Sequence, residues 1–314
     1  MLLRMGSLFC ATLLGMGGAS FWADGADQDQ SPKVSITPRK EAPSGRSSNL
    51  RLDVNVVLVP VTVTDPFGKP VKGLSVDRFR VLEDGIQQKV TSFLREEAPV
   101  SLGLLFDSSS SMKNRIDASV EALKLLFQST GPGDEYFVVQ FADQARLLGG
   151  FTDSPDEIHG RLGYVQAKGW TALLDAVAMG AHQMKFAKNG RRVLLVLSDG
   201  NDNNSRFSES EIKSMVIESD LRIYAIALAY RPRLLQQLAD ETGGNVLVAQ
   251  NVSELPDVVQ RLTAEIRSQY LLGYTPSNPH NDGKYHKVKI DILQAPGSPP
   301  VRASWRRGYY APRE

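Results

Sequence analysis

Val100-Ser101-Leu102-Gly103-Leu104-Leu105-Phe106 runs directly into Asp107-Ser108-Ser109-Ser110-Ser111. A near-continuous apolar run of this length marks a strand buried on both faces of a parallel sheet, and such strands end in loops that build sites. In an extended turn, residues two apart project to the same side, which turns Asp107, Ser109 and Ser111 toward one ion. Oxygen donors of this kind suit Mg²⁺, Mn²⁺ or Ca²⁺ and not zinc. The competing reading is a solvated serine loop whose aspartate caps the following helix.

Outward from that stretch, strands and helical patterns alternate as in a doubly wound α/β domain. A helix is expected over 116–127, where Ile116, Val120, Leu123 and Phe127 keep three-to-four spacing, and Gly131-Pro132-Gly133-Asp134 stops it. A strand at 136–141 is followed by a short one at 146–150, close enough for a hairpin and an antiparallel edge. Helices at 154–165 and 171–186 and a strand at 192–198 come next. Helix 208–219, strand 222–228, helix 231–242, strand 245–249 and helix 253–268 complete the pattern. Two of these elements carry further oxygen donors. Gly169-Trp170-Thr171 places a threonine at a helix start, and Val193-Leu194-Leu195-Val196-Leu197-Ser198-Asp199 ends a second apolar strand in an aspartate.

Taken together, Asp107, Ser109, Ser111, Thr171 and Asp199 resemble the metal-ion-dependent adhesion site (MIDAS) of von Willebrand factor A domains. Every position of that family's pattern, D-x-S-x-S with T and D, is occupied without substitution. The resemblance implies a mostly parallel six-stranded sheet over residues 98–268. It further implies that the hydroxyls of Ser109, Ser111 and Thr171 contact the ion. Asp107 and Asp199 then orient waters or coordinate in another state, and a partner protein's Asp or Glu carboxylate completes the coordination.

On either side of this domain the pattern is β. Residues 54–64 alternate and are β-branched, Asp65-Pro66-Phe67-Gly68 is turn chemistry, and strands at 79–83 and 88–93 are joined through the hairpin signal Asp84-Gly85. Such a unit, 50–97, is marginal without a second layer. The tail, 269–314, offers strands at 269–274, 286–292 and 301–306. We therefore expect a small discontinuous β-sandwich, built from the two flanks, into which the α/β domain is inserted. Val61-Thr62-Val63-Thr64-Asp65, Glu83-Asp84-Gly85 and Ser268-Gln269-Tyr270-Leu271-Leu272-Gly273-Tyr274 resemble the secreted von Willebrand A-related proteins abundant in Acidobacteria.

At 314 residues and 42% hydrophobic content the chain has room for two domains with sizeable cores. Its formal charge of +1, from 36 basic and 35 acidic side chains, leaves no polybasic footprint, so no nucleic-acid partner is expected. Residues 1–23 read as a secretory signal: Arg4 precedes an apolar stretch at 8–16, with cleavage near Gly17-Gly18-Ala19 or after Ala23. The alternative is an uncleaved anchor, for which the apolar run is short. Residues 24–49 are rich in Asp, Gln, Ser, Pro and Lys and read as a disordered linker. Cys10 falls inside the signal, so the mature chain would carry no disulfide, which fits secretion to a bacterial periplasm or cell surface. No later run is long enough for a transmembrane anchor after signal cleavage.

Catalysis finds little support. Ser109 and Ser111 lack a G-x-S-x-G elbow, and His159, His182, His280 and His286 form no triad or zinc spacing. Phosphatases that use a carboxylate nucleophile place a second aspartate where Ser109 stands. The expected function is thus a non-enzymatic, metal-dependent adhesion or assembly module. The alternatives are a structural subunit of an envelope complex with a vestigial site, and a Mg²⁺-dependent hydrolase. The run Asp199-Gly200-Asn201-Asp202-Asn203-Asn204 reads as a polar rim loop, Trp170 as either a contact residue or a packing residue, and Arg302, Arg306 and Arg307 as a solvated strand face.

Overall fold

The described residues of the computed structural model are 56–96, 98–129, 131–200, 202–278, 282–294 and 297–313. The expected signal, 1–23, and linker, 24–49, lie outside them. The N-terminal flank forms β1 (Val57–Thr64), β2 (Phe79–Glu83), β3 (Ile86–Gln88) and β4 (Val90–Glu96). The central part runs β5 (Val100–Asp107), α1 (Ile116–Gln128), β6 (Glu135–Phe141), β7 (Ala145–Leu147), α2 (Pro155–Leu162) and α3 (Leu173–Gln183). It continues with β8 (Arg191–Ser198), α4 (Glu209–Glu218), β9 (Arg222–Leu228), α5 (Arg233–Thr242), β10 (Val246–Ala249) and α6 (Leu255–Arg267). The tail adds β11 (Gln269–Tyr274), β12 (Tyr285–Ile292), β13 (Arg302–Trp305) and β14 (Gly308–Tyr310).

Every residue of β5 is buried, as its apolar run requires, and the strand lies inside a six-stranded sheet of order β10-β9-β8-β5-β6-β7. All neighbours are parallel except the edge hairpin β6–β7. Alternation sends Leu102, Leu104 and Phe106 into one layer with Leu123, Ile158 and Leu262, while Leu105 joins Leu174, Ile212 and Leu235 on the other face. Gly103 has no room for a side chain, because a Cβ there would collide with the Phe137 ring and with Leu194. From β5 the chain first steps to β6 on one side, then returns to place β8 on the other. The carboxyl ends of β5 and β8 therefore flank a topological switch point, where open α/β sheets bind ligands.

Both flanks contribute to both remaining sheets, whose orders are β13-β1-β11-β4 and β14-β12-β2-β3. β1 pairs antiparallel with β11 and β13, β4 with β11, and β2 with β12. Val59, Val61, Phe79, Val81, Leu272 and Ile290 fill the space between. The strand expected at 88–93 needs correction. It breaks at Lys89, so that β3 stays beside β2 while β4 crosses to the other sheet and pairs with β11. Gln88 holds this corner: its buried side chain donates to Ile86 O (3.2 Å) and accepts from Ser277 N (2.9 Å). The helix expected at 171–186 begins at Leu173, because Ala172 is not helical (φ −94°, ψ 63°), which leaves Thr171 in the preceding loop.

The sandwich meets the α/β part at the amino ends of its strands. Arg191, first in β8, donates to Ala98 O (2.8 Å) and to Ile266 O, and Arg222, first in β9, donates to Pro60 O and Thr62 Oγ1. Arg306 bridges Asp220 and Leu58 O, and Arg307 stacks over the Trp305 ring at 4.3 Å. The expected solvated face of arginines is thus a junction in the case of Arg306. Among the described residues no helix is long and apolar enough to cross a membrane.

One titratable group ties β12 to the turn between β2 and β3. His286 pairs across to Tyr309, with Nδ1 2.8 Å from Asp84 Oδ2 and Nε2 3.3 Å from Asp282 Oδ1. Burial alone would lower its pKa, but the hydrogen bonds and charges of the two aspartates outweigh burial and raise it. A raised folded-state pKa gives stability that is complete below the unfolded value of about 6.5 and is lost as pH rises through the folded one. His286→Gln is expected to cost about 1 kcal/mol at pH 6 and less at pH 9, measured by urea midpoints. An equal cost at both pH values would contradict the charge of the imidazolium being responsible.

Candidate metal centre

Asp107 closes β5 and is fully buried. Its Oδ1 accepts from Ser109 N (2.8 Å) and its Oδ2 from Ser198 Oγ (2.5 Å), so the turn after the strand is fixed by the carboxylate itself. Ser109 Oγ and Ser111 Oγ share a hydrogen bond of 3.0 Å, and Ser111 Oγ donates to Asp199 Oδ1 at 2.7 Å. Asp199 stands just past β8, whose register sets Leu197 opposite Phe106. Two strand ends distant in sequence thereby deliver Asp107, Ser109, Ser111 and Asp199 into one continuous hydrogen-bonded chain.

Thr171 reaches the same end of the sheet on a loop held against the serine turn, through Lys168 N to Ser108 O (2.9 Å) and Ser110 N to Gly169 O (3.0 Å). Gly169 has φ +79°, a conformation that glycine adopts without strain, and its Cα packs on the Asp143 carboxylate, which accepts from Trp170 N at 2.7 Å. Thr171 is buried, its N–H donating to Asn203 Oδ1 (2.8 Å) and its carbonyl accepting from Asn203 N (3.0 Å). Asp202 Oδ1 accepts from Leu174 N (3.2 Å), capping α3 from a distant loop, and Asn204 Nδ2 donates to Asp143 O (2.8 Å). The acid-amide run after Asp199 therefore acts as a clamp on the threonine loop. Trp170, for which two readings stood open, has 64% of its surface exposed.

Burial pushes the Asp107 carboxyl up, opposed by the hydrogen bonds from Ser198 and Ser109, while the charge of Asp199 adds to the rise. Two residues beyond the expected set shape this electrostatic balance. Ser198 lies hidden in the apolar run of β8. Arg115, at the start of α1, forms a close ion pair with Asp199 through Nη1 and Oδ2. Two carboxylates against one guanidinium leave a net negative charge among oxygen donors, a set that fits a hard divalent cation. Among the described residues no group of three His, Cys, Asp or Glu side chains comes together for a metal, so any ion held by this chain there depends on hydroxyls. A cleft of about 760 Å³ opens elsewhere, between α3 and α4, lined by Met179, His182, Arg206, Phe207 and Met215.

Residues 102–201 match the family model of the von Willebrand factor type A domain, a stretch that holds all five candidate residues. No curated protein matches the chain. Among solved structures, the von Willebrand factor type A protein from Catenulispora acidiphila is similar at 15% identity over 84% of this chain and 76% of that one, with a TM-score of 0.52. Proximal thread matrix protein 1 from the mussel byssus, solved with a zinc-occupied MIDAS motif, is similar at 20% identity over 59% of this chain and 49% of its own, with a TM-score of 0.49. BatB from Bacteroides thetaiotaomicron is similar at 17% identity over 54% of this chain and 100% of its own, with a TM-score of 0.45. The chain spans about half the length of the mussel protein. The likeness establishes the fold: the six-stranded α/β part has von Willebrand factor A architecture.

Proposed function

We propose that this chain is a secreted, divalent-metal-dependent protein-binding module, without catalytic activity, that captures an Asp or Glu carboxylate of a partner protein at the switch point of its sheet. The observation that carries the reading is the hydrogen-bonded chain Asp107–Ser109–Ser111–Asp199 at the carboxyl ends of β5 and β8, opposite the junction with the sandwich. Ser109, Ser111 and Thr171 would hold Mg²⁺, Mn²⁺ or Ca²⁺ through their hydroxyls, with Asp107 and Asp199 orienting waters. When bound, the ion supplies an open coordination position for an outside carboxylate, because neutral hydroxyls compensate little of its charge.

The residues around it suit contact with a protein surface. The exposed Trp170 ring stands on a backbone fixed by Asp143, and a rigid aromatic beside a charged contact is the composition of a binding hot spot. Secretion rests on the signal pattern at 1–23, and a mature chain without cysteine, Cys10 lying inside that pattern, favours a bacterial periplasm or cell surface.

Calorimetric titration of the purified mature chain with Mg²⁺, Mn²⁺ and Ca²⁺ tests the reading, beside Ser109→Ala and Thr171→Ala. Saturable one-site binding, reduced at least about tenfold in both variants, is expected, since each removes a ligand. Capture of a partner from an envelope extract should then vanish with EDTA. Wild-type affinity in both variants would overturn the assignment of the site.

A further inference from the structure

Arg115 stands where it competes with an incoming cation. Its Nη1 donates to Asp199 Oδ2, while Ser111 Oγ donates to Oδ1 at 2.7 Å, so both oxygens of the carboxylate are engaged from within the chain. The Asp199 side chain is 3% exposed and that of Arg115 33%, which puts the guanidinium at the rim with solvent on its outer side. The backbone of Arg115 is anchored, its N–H on Met112 O (2.8 Å) and its carbonyl accepting from Ser119 N (2.9 Å) at the start of α1. The side chain is long and the backbone fixed, so withdrawal of the guanidinium needs rotamer changes alone.

We infer that Arg115 is a resident counter-cation that lowers the metal affinity of the unliganded protein, so that an external carboxylate strengthens metal binding. The inference rests on the metal reading proposed above. The physics is that of one charge within reach of another. A guanidinium paired with Asp199 cancels one of the two carboxylate charges that would attract a divalent ion, and it repels that ion directly. A carboxylate brought by a partner can give one oxygen to the ion and the other to the guanidinium, and so releases Asp199 to the ion at the moment the partner arrives. Metal and partner would then bind cooperatively, each strengthening the other by the same factor.

The test is calorimetric titration with MnCl₂ of the full mature chain and of its Arg115→Gln and Arg115→Lys variants, with Ser109→Ala as the site control. Arg115→Met, which keeps the aliphatic stem, replaces the glutamine variant if circular dichroism shows that variant unfolded. Removal of the charge is expected to tighten Mn²⁺ binding by about tenfold or more, whereas the lysine variant should stay within about threefold of wild type. Equal or weaker binding by Arg115→Gln would overturn the inference and mark Arg115 as a brace that positions Asp199. That outcome leaves the metal reading intact as long as wild type binds and Ser109→Ala does not. An absence of Mn²⁺ binding in wild type and Arg115→Gln alike would refute the metal reading and this inference together.

Discussion

Asp107→Asn should abolish saturable Mn²⁺ binding, a loss of at least about 100-fold, while the protein stays folded. The argument begins from the carboxylate's two bonds. Asparagine keeps an oxygen for Ser109 N and places an amide toward Ser198 Oγ, a hydroxyl that can turn to accept. Alanine would instead leave a buried N–H and a hydroxyl without their partner, at about 1–3 kcal/mol each, so the amide is the cleaner probe. What asparagine removes is the charge. In the metal-free protein that charge is costly, since burial has already pushed the carboxyl pKa up. The sign follows from linkage: a carboxyl with a raised folded-state pKa makes the protein lose stability as pH rises from the unfolded value of about 3.9 through the folded one. Metal-free Asp107→Asn should therefore match or exceed wild type in melting temperature at pH 7. Added Mn²⁺ should reverse the order, because an ion at 100 times its Kd stabilises the folded wild type by about 2.7 kcal/mol and the variant hardly at all. Equal metal-induced shifts in the two proteins would show that Asp107 has no part in holding the ion.

How far the sequence reveals this arrangement depends on the range over which each signal acts. Asp107 and Asp199 were legible because each ends an apolar run that reads as a buried strand, and the β5–β8 pairing sets those runs side by side. The flanking strands were legible as strands, and their composition implied a second layer. The exchange of sheets at Lys89 was not legible, since the apolar residues of 86–96, namely Ile86, Val90, Phe93 and Leu94, keep no period of two and say nothing about which neighbour each residue faces. β14 has three residues between a pair of arginines and a proline, too few for a period of two. Arg115 carried no signal at all: its partner lies 84 residues away, and a basic residue near a helix start, where the helix dipole favours acids, has no local reason to be there.

Removing residues 269–314 should unfold the N-terminal flank completely. The reason lies in which strands share a ladder. β1 has β11 on one side and β13 on the other, and β4 has β11, so the truncation strips both strands of every sheet partner. β2 would retain β3 alone, and a two-stranded hairpin is marginal in water. Val59, Val61, Phe79 and Val81, now packed against Leu272, Ile290 and their neighbours, would lose the facing layer. Each such side chain contributes about 1.5–3 kcal/mol when buried, more in sum than a short hairpin supplies. Hydrogen exchange read by mass spectrometry gives the decisive comparison. In the full chain the amides of β1, all but one of whose side chains are at least partly buried, should be protected together with those of β11, because the two strands share one ladder. In the truncated chain, protection over 57–96 should fall to that of an unfolded segment. Persistent protection there would mean that the N-terminal strands form a self-sufficient unit, and the insertion architecture would have to be abandoned.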